Sequence, residues 1–352
     1  MTRIVIWSTG AVGQLCLRAA HARDDLDIVG VWVHSEAKVG RDAGELVGIG
    51  PIGVITTGSI DEVIASRPDC VVYTASGPDL DATNMPVYVA LLSAGINVVT
   101  VSSPGLMFPA AWDPAHVASL EAAAATGGAT IYASGVEPGF VGDQLVALLA
   151  TASETITSIR TQEIFRYDTY ANEFLMFDVF GFGLPLDATP LMQLAGSQLH
   201  AWGPPVQYVA HALGVTLDEV RETYERRETP RDLQVAAGLI AAGTCGAVRM
   251  ETIGVVGGRE AIVIEHINRM APDLAPDWPD ADRDGTYRIV IEGSPSMTCE
   301  LTFGGPDDAS EHGMVATAMR ILNAAPYVVA APPGLTSSLD LPLTLPRNAL
   351  TG

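Results

Sequence analysis

Lysine is nearly missing from this chain. Lys38 is the only one in 352 residues, and every other member of the 19 lysine-plus-arginine set is an arginine. Schiff-base or general-acid chemistry by lysine is therefore excluded unless Lys38 performs it. Cations are scarce altogether: 41 acidic residues against 19 basic ones leave a formal charge of −22. Such a surface repels nucleic acid and anionic membrane, since both require clustered positive charge. No apolar run reaches the ~20 residues of a membrane-spanning helix. The N-terminus leads into a strand without a signal-peptide pattern, so a cytoplasmic protein is expected. Cys16, Cys70, Cys245 and Cys299 form no C-x-x-C pair and read as small core hydrophobes rather than a disulfide framework or zinc site. His116, His200, His211, His266 and His312 show no ligand spacing, and no metal is expected.

What is present is apolar. Hydrophobic residues make up 48% of the chain and charged ones 17%, the composition of a well-packed globular protein, and the length suggests more than one domain. Strand candidates rich in Val and Ile at 3–7, 27–34, 53–57, 70–75, 97–102 and 130–133 alternate with helical stretches at 11–21, 85–94 and 114–126. Ser59 and Glu62 form a capping box that opens another helix. This alternation predicts a doubly wound parallel α/β sheet, a Rossmann domain, over residues 1–138. Between 139 and 308 the pattern changes to helices at 142–150 and 191–213 and strands at 158–165, 248–256, 261–270, 287–292 and 297–303. An α+β domain with a mixed, mostly antiparallel sheet is expected there, serving substrate binding and oligomerisation. Residues 309–352 should form an amphipathic helix at 311–325 and a Pro-rich arm returning to the first domain.

Directly after the first strand stands STGAVGQL, residues 8–15, close to the G-x-G-x-x-G turn that cradles a pyrophosphate. Ser8 substitutes for the first glycine provided its φ is negative. Gly10 sits where backbone must approach the pyrophosphate and Gly13 where the helix must pack close to the strand, while Thr9, Ala11 and Val12 complete the turn. The helix N-terminus offers free N–H groups to phosphate. An NAD site usually ends its second strand in Asp or Glu. Here that strand ends in His34-Ser35-Glu36-Ala37-Lys38, with Arg41 close behind. Ser35 and Lys38 suit a 2′-phosphate, Glu36 a 2′-hydroxyl, so NADP is favoured with NAD still open. Ala75, Ser76 and Ser102, at the ends of the fourth and fifth strands, complete the expected cofactor set.

Four blocks, STGAVGQ at 8–14, KVGRDAGEL at 38–46, GVEPGFVGDQL at 135–145 and APPGL at 331–335, resemble the dihydrodipicolinate-reductase-like dehydrogenases. Within them the chain is similar to the 2,4-diaminopentanoate dehydrogenase group and its bacterial native amine dehydrogenases, mycobacterial members included. The resemblance implies a nicotinamide cofactor and reduction of a C=N bond formed from a ketone or aldehyde and ammonia, or the reverse oxidative deamination. A homodimer is expected. Dihydrodipicolinate reductases proper carry paired histidines followed by a lysine in the second domain. This chain has neither there, which argues against that activity. Many amine dehydrogenases of the group place a glutamate after the fifth strand, where this chain reads VSSPGLMFP. The group's usual asparagine in G-x-N-P-G-F is Glu137 here.

Ammonia addition needs a group that deprotonates ammonium, moves a proton as water leaves and stabilises an iminium. Glu137, after the last strand of the parallel sheet, stands at the carboxyl edge where ligands bind, and is the expected catalytic acid-base. A helix N-cap or surface-turn role is the plainer alternative. Glu163, Asp168 and Glu173 are next in line. Phe140, Tyr167, Tyr170, Phe174, Phe177 and Trp202 are candidate substrate-pocket residues, Tyr170 on the strength of the resemblance, and ordinary core packing is the competing role. Two other functions remain open at this point: a carbonyl reductase that uses no ammonia, and a cofactor-binding redox sensor that turns nothing over.

Overall fold

The structure, a computed structural model, describes residues 1–75, 80–305, 308–347 and 349–350. The chain forms two compact units, one of Met1–Phe140 with Met314–Gly352 and one of Val141–Gly313. These bounds differ by a few residues from the expected 138/139 and 308/309. From Met314 on, the C-terminal segment belongs to the first unit.

In the first unit, β1 (Thr2–Trp7), α1 (Ala11–His21), β2 (Leu26–Trp32), α2 (Ala43–Leu46), β3 (Thr56–Thr57), α3 (Ile60–Ala65), β4 (Cys70–Tyr73), α4 (Leu80–Ser93), β5 (Asn97–Thr100), α5 (Pro114–Gly127) and β6 (Thr130–Ala133) follow in order. Half of the expected Ser59 capping box forms: Ser59 Oγ accepts from the Glu62 amide at 3.3 Å, while the Ser59 amide donates to Thr57 Oγ1 at 3.0 Å. Strand alternation explains the layering. Ile4 and Ile6 of β1 pack with Cys16 and Leu17 of α1 on one face, whereas Val5 and Trp7 pack with Tyr88, Leu91 and Leu120 on the other.

The second unit contains α6 (Gln144–Ala150), β7 (Thr155–Arg166), α7 (Ser197–Ala212), β8 (Glu219–Glu228), the short pair β9 (Leu233–Val235) and β10 (Gly238–Ile240), then β11 (Cys245–Val256), β12 (Arg259–Arg269), β13 (Thr286–Ser294) and β14 (Met297–Thr302). Its six-stranded sheet has the order β14-β13-β7-β12-β11-β8. Only β7 and β12 run parallel within it. Helix α7 lies along β11, β12 and β8. The expected helix at 191–213 is interrupted: Gly196, at φ 87°, separates a short turn at Leu191–Gln193 from α7. Strand β8 was not among the expected strands, its sequence EVRETYERRE being rich in charge. In the sheet its charges are shared, Arg249 lying 3.8 Å from Glu225 and Arg221 pairing with Glu260. The fully buried Glu265 is held by Arg160 at 2.8 Å and Arg249 at 2.6 Å, the pairing a buried carboxylate requires.

The chain finishes with α8 (Ala309–Val329) and β15 (Gly334–Thr336). β15 extends the first unit's parallel sheet to the order β15-β6-β5-β4-β1-β2-β3. The Pro-rich arm thus becomes an edge strand. No described helix is long and apolar enough to cross a membrane.

Candidate active site

The strand order of the first unit reverses between β1 and β4, which creates the crevice at the carboxyl ends of the strands where such sheets take ligands. The Ser8–Gly13 turn stands there. Ser8 departs from expectation, since its φ is 88°, in the left-handed region, and not negative. The turn needs that conformation because the Ser8 carbonyl passes beneath the start of α1. A Cβ on Gly13 would come within 2.1 Å of that oxygen and 2.7 Å of Thr74 Oγ1, so Gly13 has the close-packing role expected of it. Gly10 is different, for a Cβ there would meet only Ser8 Oγ at 3.8 Å. Nothing in the protein itself demands glycine at that position. Gly10 and Ala11 are exposed, α1 has no side-chain cap, and its first turn carries no acid. An 11-residue helix with an open N-terminus behind a bare glycine fits a pyrophosphate. Val12 packs into the α1 side of the core.

Lys38 reaches this turn, its Nζ donating to Thr9 Oγ1 at 3.1 Å. His34, Ser35 and Glu36 are exposed beyond β2. The His34 ring is tilted against Trp32 at 6.3 Å, and Trp32 stacks on Trp7 at 4.3 Å. Ser102 Oγ donates to the Ala75 carbonyl at 2.5 Å, which brings together two of the expected cofactor residues. Ser76 lies outside the described residues.

After β6 the chain enters the loop that carries Glu137. Both Glu137 carboxylate oxygens are buried, which speaks against a surface turn. It is also no helix cap, since α6 is capped by Asp143, whose carboxylate accepts from the Gln144 amide. Gly139 has φ 133° and ψ −122°, backbone that no side chain tolerates well. Helix α8 grips this loop at three points. Thr317 Oγ1 accepts from the Val136 amide at 3.2 Å, Arg320 Nε donates to Ser134 Oγ at 3.3 Å, and the Arg320 guanidinium lies 5.0 Å over the Phe140 ring. Sequence reasoning missed Thr317 and Arg320. Only the return of the C-terminal helix brings them here, and no local motif marks them.

Within the second unit, Tyr167 and Tyr170 are neighbours with rings 5.9 Å apart, and Phe180 lies 5.8 Å from Tyr167. Tyr167 donates to Glu163 Oε1 at 2.5 Å. Glu163 is buried, and burial pushes its carboxyl above the ordinary range despite hydrogen bonds from Tyr167, Asn268 and Tyr287. The other candidates do not join this group. Phe174 is 44% exposed. Phe177 lies against the backbone at Gly183 and Gly238. Trp202 is buried against His266 at 4.2 Å, and burial lowers the His266 pKa to about 3. Phe140 belongs to the first unit, beneath Arg320.

Known proteins share this architecture. Residues 140–351 match the 2,4-diaminopentanoate dehydrogenase C-terminal domain, and residues 2–99 match the dihydrodipicolinate reductase N-terminus. The chain is 40% identical over 349 residues to an amine dehydrogenase of Streptomyces virginiae, covering 97% of each. It is 22% identical to the 2,4-diaminopentanoate dehydrogenase of Acetoanaerobium sticklandii, over 97% of this chain and 93% of the other. The solved amine dehydrogenase of Mycobacterium smegmatis superposes with a TM-score of 0.80 at 21% identity, covering 98% and 97% of the two chains.

Proposed function

Because the chain belongs to the 2,4-diaminopentanoate dehydrogenase family, we propose that it is an NAD(P)-dependent amine dehydrogenase. It joins a small, largely apolar ketone or aldehyde to ammonia, giving a primary amine and water, or runs the reverse oxidative deamination. The observation that carries this reading is the 40% identity to an amine dehydrogenase across 97% of both chains. When bound, the nicotinamide cofactor supplies the hydride or takes it up. Gly10 and the open N-terminus of α1 hold its pyrophosphate. Lys38, already at Thr9, together with Ser35, favours NADP over NAD through the extra 2′-phosphate.

Glu137 does the proton work. As a carboxylate it takes a proton from ammonium so that the nitrogen can attack the carbonyl carbon. It then returns that proton to the hydroxyl as water leaves, and its charge stabilises the iminium. The loop's fixation by Thr317 and Arg320 keeps the carboxyl in one place while the proton moves. Tyr167 and Tyr170 are the aromatic residues we assign to substrate contact.

The assembly we propose is a homodimer in the cytoplasm. Sedimentation equilibrium reads this directly. The activity itself is tested by a panel of ketones and aldehydes with ammonium chloride and either cofactor, followed by absorbance of the reduced nicotinamide. Ammonium-dependent consumption supports the proposal. Consumption without ammonium indicates a carbonyl reductase, and no consumption at all a cofactor-binding sensor.

A further inference from the structure

The C-terminal arm is packed against the usual order of polarity. After β15 the chain turns at Ser337, whose amide and hydroxyl donate to the Asp340 carboxylate at 3.0 and 2.8 Å. It continues as Leu341-Pro342-Leu343-Thr344-Leu345-Pro346, where burial of the leucines would ordinarily decide which side faces inward. Leu341 obeys and joins the α1 side of the core. Beyond it the order reverses, for Leu343 and Leu345 are 55% and 61% exposed while Thr344 between them is 7% exposed. The Leu345 amide donates to the Leu343 carbonyl at 2.9 Å, a three-residue turn with Thr344 at its centre. Tyr327 of α8 pins this turn, its hydroxyl donating to the Leu345 carbonyl at 3.2 Å.

The group that Thr344 meets is Arg320. Arg320 Nη1 donates to Thr344 Oγ1 at 3.4 Å, Nη2 to the Tyr132 hydroxyl at 3.3 Å and Nε to Ser134 Oγ at 3.3 Å, and the guanidinium also covers the Phe140 ring. These partners are uncharged, so Arg320 gains direction from them rather than charge neutralisation. Ser134 directly follows β6, and Phe140 ends the stretch that carries Glu137. The guanidinium therefore ties the entry of that loop to its exit, and Thr344 engages the remaining corner of the fork. We propose that the C-terminal arm is a working part of the reaction site, Thr344 being a positioning residue that acts through Arg320 on the Glu137 loop. This rests on the proton-transfer role given to Glu137. A long arginine side chain has many rotamers, and the threonine hydroxyl favours the one that reaches Ser134 and Tyr132. Without it the loop relaxes, and a misplaced acid-base group slows the chemical step while leaving substrate binding alone.

The test uses the full chain, a ketone that the unmodified protein aminates, ammonium chloride and saturating cofactor. Thr344→Val keeps the shape and removes the hydroxyl. It should lower kcat about fivefold, the scale of one hydrogen bond, with the KM for ketone and the cofactor affinity within about twofold. Thr344→Ser, which keeps the hydroxyl, should retain most of the rate. Arg320→Met should lower kcat about tenfold or more, and Arg320→Lys should not restore it, because an ammonium lacks the planar fork that spans three hydroxyls. The double variant should be no slower than Arg320→Met alone, since Thr344 acts through Arg320. Hydrogen exchange supplies a readout that needs no turnover. The Val136 and Phe140 amides, which donate to Thr317 Oγ1 and the Gly135 carbonyl, should exchange faster in Thr344→Val while β1 and β2 keep their protection. An unchanged kcat, unchanged exchange at those two amides, or losses that add in the double variant overturns the proposal. So does faster exchange throughout the first unit with KM and kcat moving together, the mark of a merely structural role. Should Arg320→Met fail to fold, the two Thr344 variants decide alone. Absence of ammonium-dependent turnover in the unmodified protein overturns the function and this inference with it. Ammonium-dependent turnover that ignores Thr344→Val overturns the inference only.

Discussion

Glu137 and Glu163 are both withdrawn from solvent, yet the chain holds them by opposite means. Glu137 sits in an irregular loop of the first unit whose course is fixed from outside, by Thr317 and Arg320 of α8 and by the backbone freedom of Gly139. Glu163 sits in a regular strand of the second unit and is fixed from within, by hydrogen bonds to its own carboxylate. The loop acid, whose backbone α8 holds in place, is the one we assign to proton transfer. A strand acid that accepts hydrogen bonds from three side chains has its lone pairs engaged and suits orientation.

The largest effect should come from the loop acid. Glu137→Gln keeps size and hydrogen bonding but removes basicity, and should cut the ammonium-dependent rate about a hundredfold, the scale of a lost general base. Steady-state kinetics at saturating ketone and ammonium measures it. A near-normal rate would transfer the proton work elsewhere and erase the contrast between the two acids.

Gly10→Val asks whether the phosphate end can be damaged without disturbing either acid. A Cβ at Gly10 meets only Ser8 Oγ at 3.8 Å, so the protein should fold. Calorimetry should show cofactor affinity down about tenfold, or ~1.4 kcal/mol, because the side chain occupies the pyrophosphate's place. Lys38→Ala is the finer version. It should weaken NADP about fivefold more than NAD, the scale of one exposed charge pair, and equal losses would show that Lys38 does not read the 2′ position.

The smallest effect is a pH dependence of stability at the strand acid. Burial raises the Glu163 pKa above its ordinary 4.5, so the native state favours the neutral carboxyl. That contribution is present below pH 4.5 and is lost as pH rises through the raised value. Glu163→Gln lacks it. The melting temperature of the unmodified protein should therefore fall relative to the glutamine variant as pH rises across that window, and a constant difference would mean that Glu163 titrates normally.

Much of the first unit was legible because its signals are local. α1, β6 and the Ser59 cap lie where apolar period and capping chemistry put them, and the parallel sheet followed from the alternation of strands and helices. Ser8 was misjudged because the strain of its left-handed backbone is set by the passage of its carbonyl under Gly13, a tertiary demand. β8 was unreadable for a related reason, since its charges look solvated until Arg249 and Glu260 stand beside them. At the candidate site Glu137 was marked by its place after β6, whereas the grip of Arg320 comes from 183 residues further along the chain, the difference between positions 320 and 137. Phe174 and Trp202 differ in a way that spacing does not foretell, one being exposed and the other buried.

The most direct test of the central claim follows two labels through one turnover. The unmodified protein is given a ketone, ¹⁵N-ammonium and reduced cofactor deuterated at the transferred position, and the product is weighed. The expected product is a primary amine carrying ¹⁵N on the carbon that received deuterium. A deuterated alcohol without nitrogen, or no deuterium transfer at all, would contradict it.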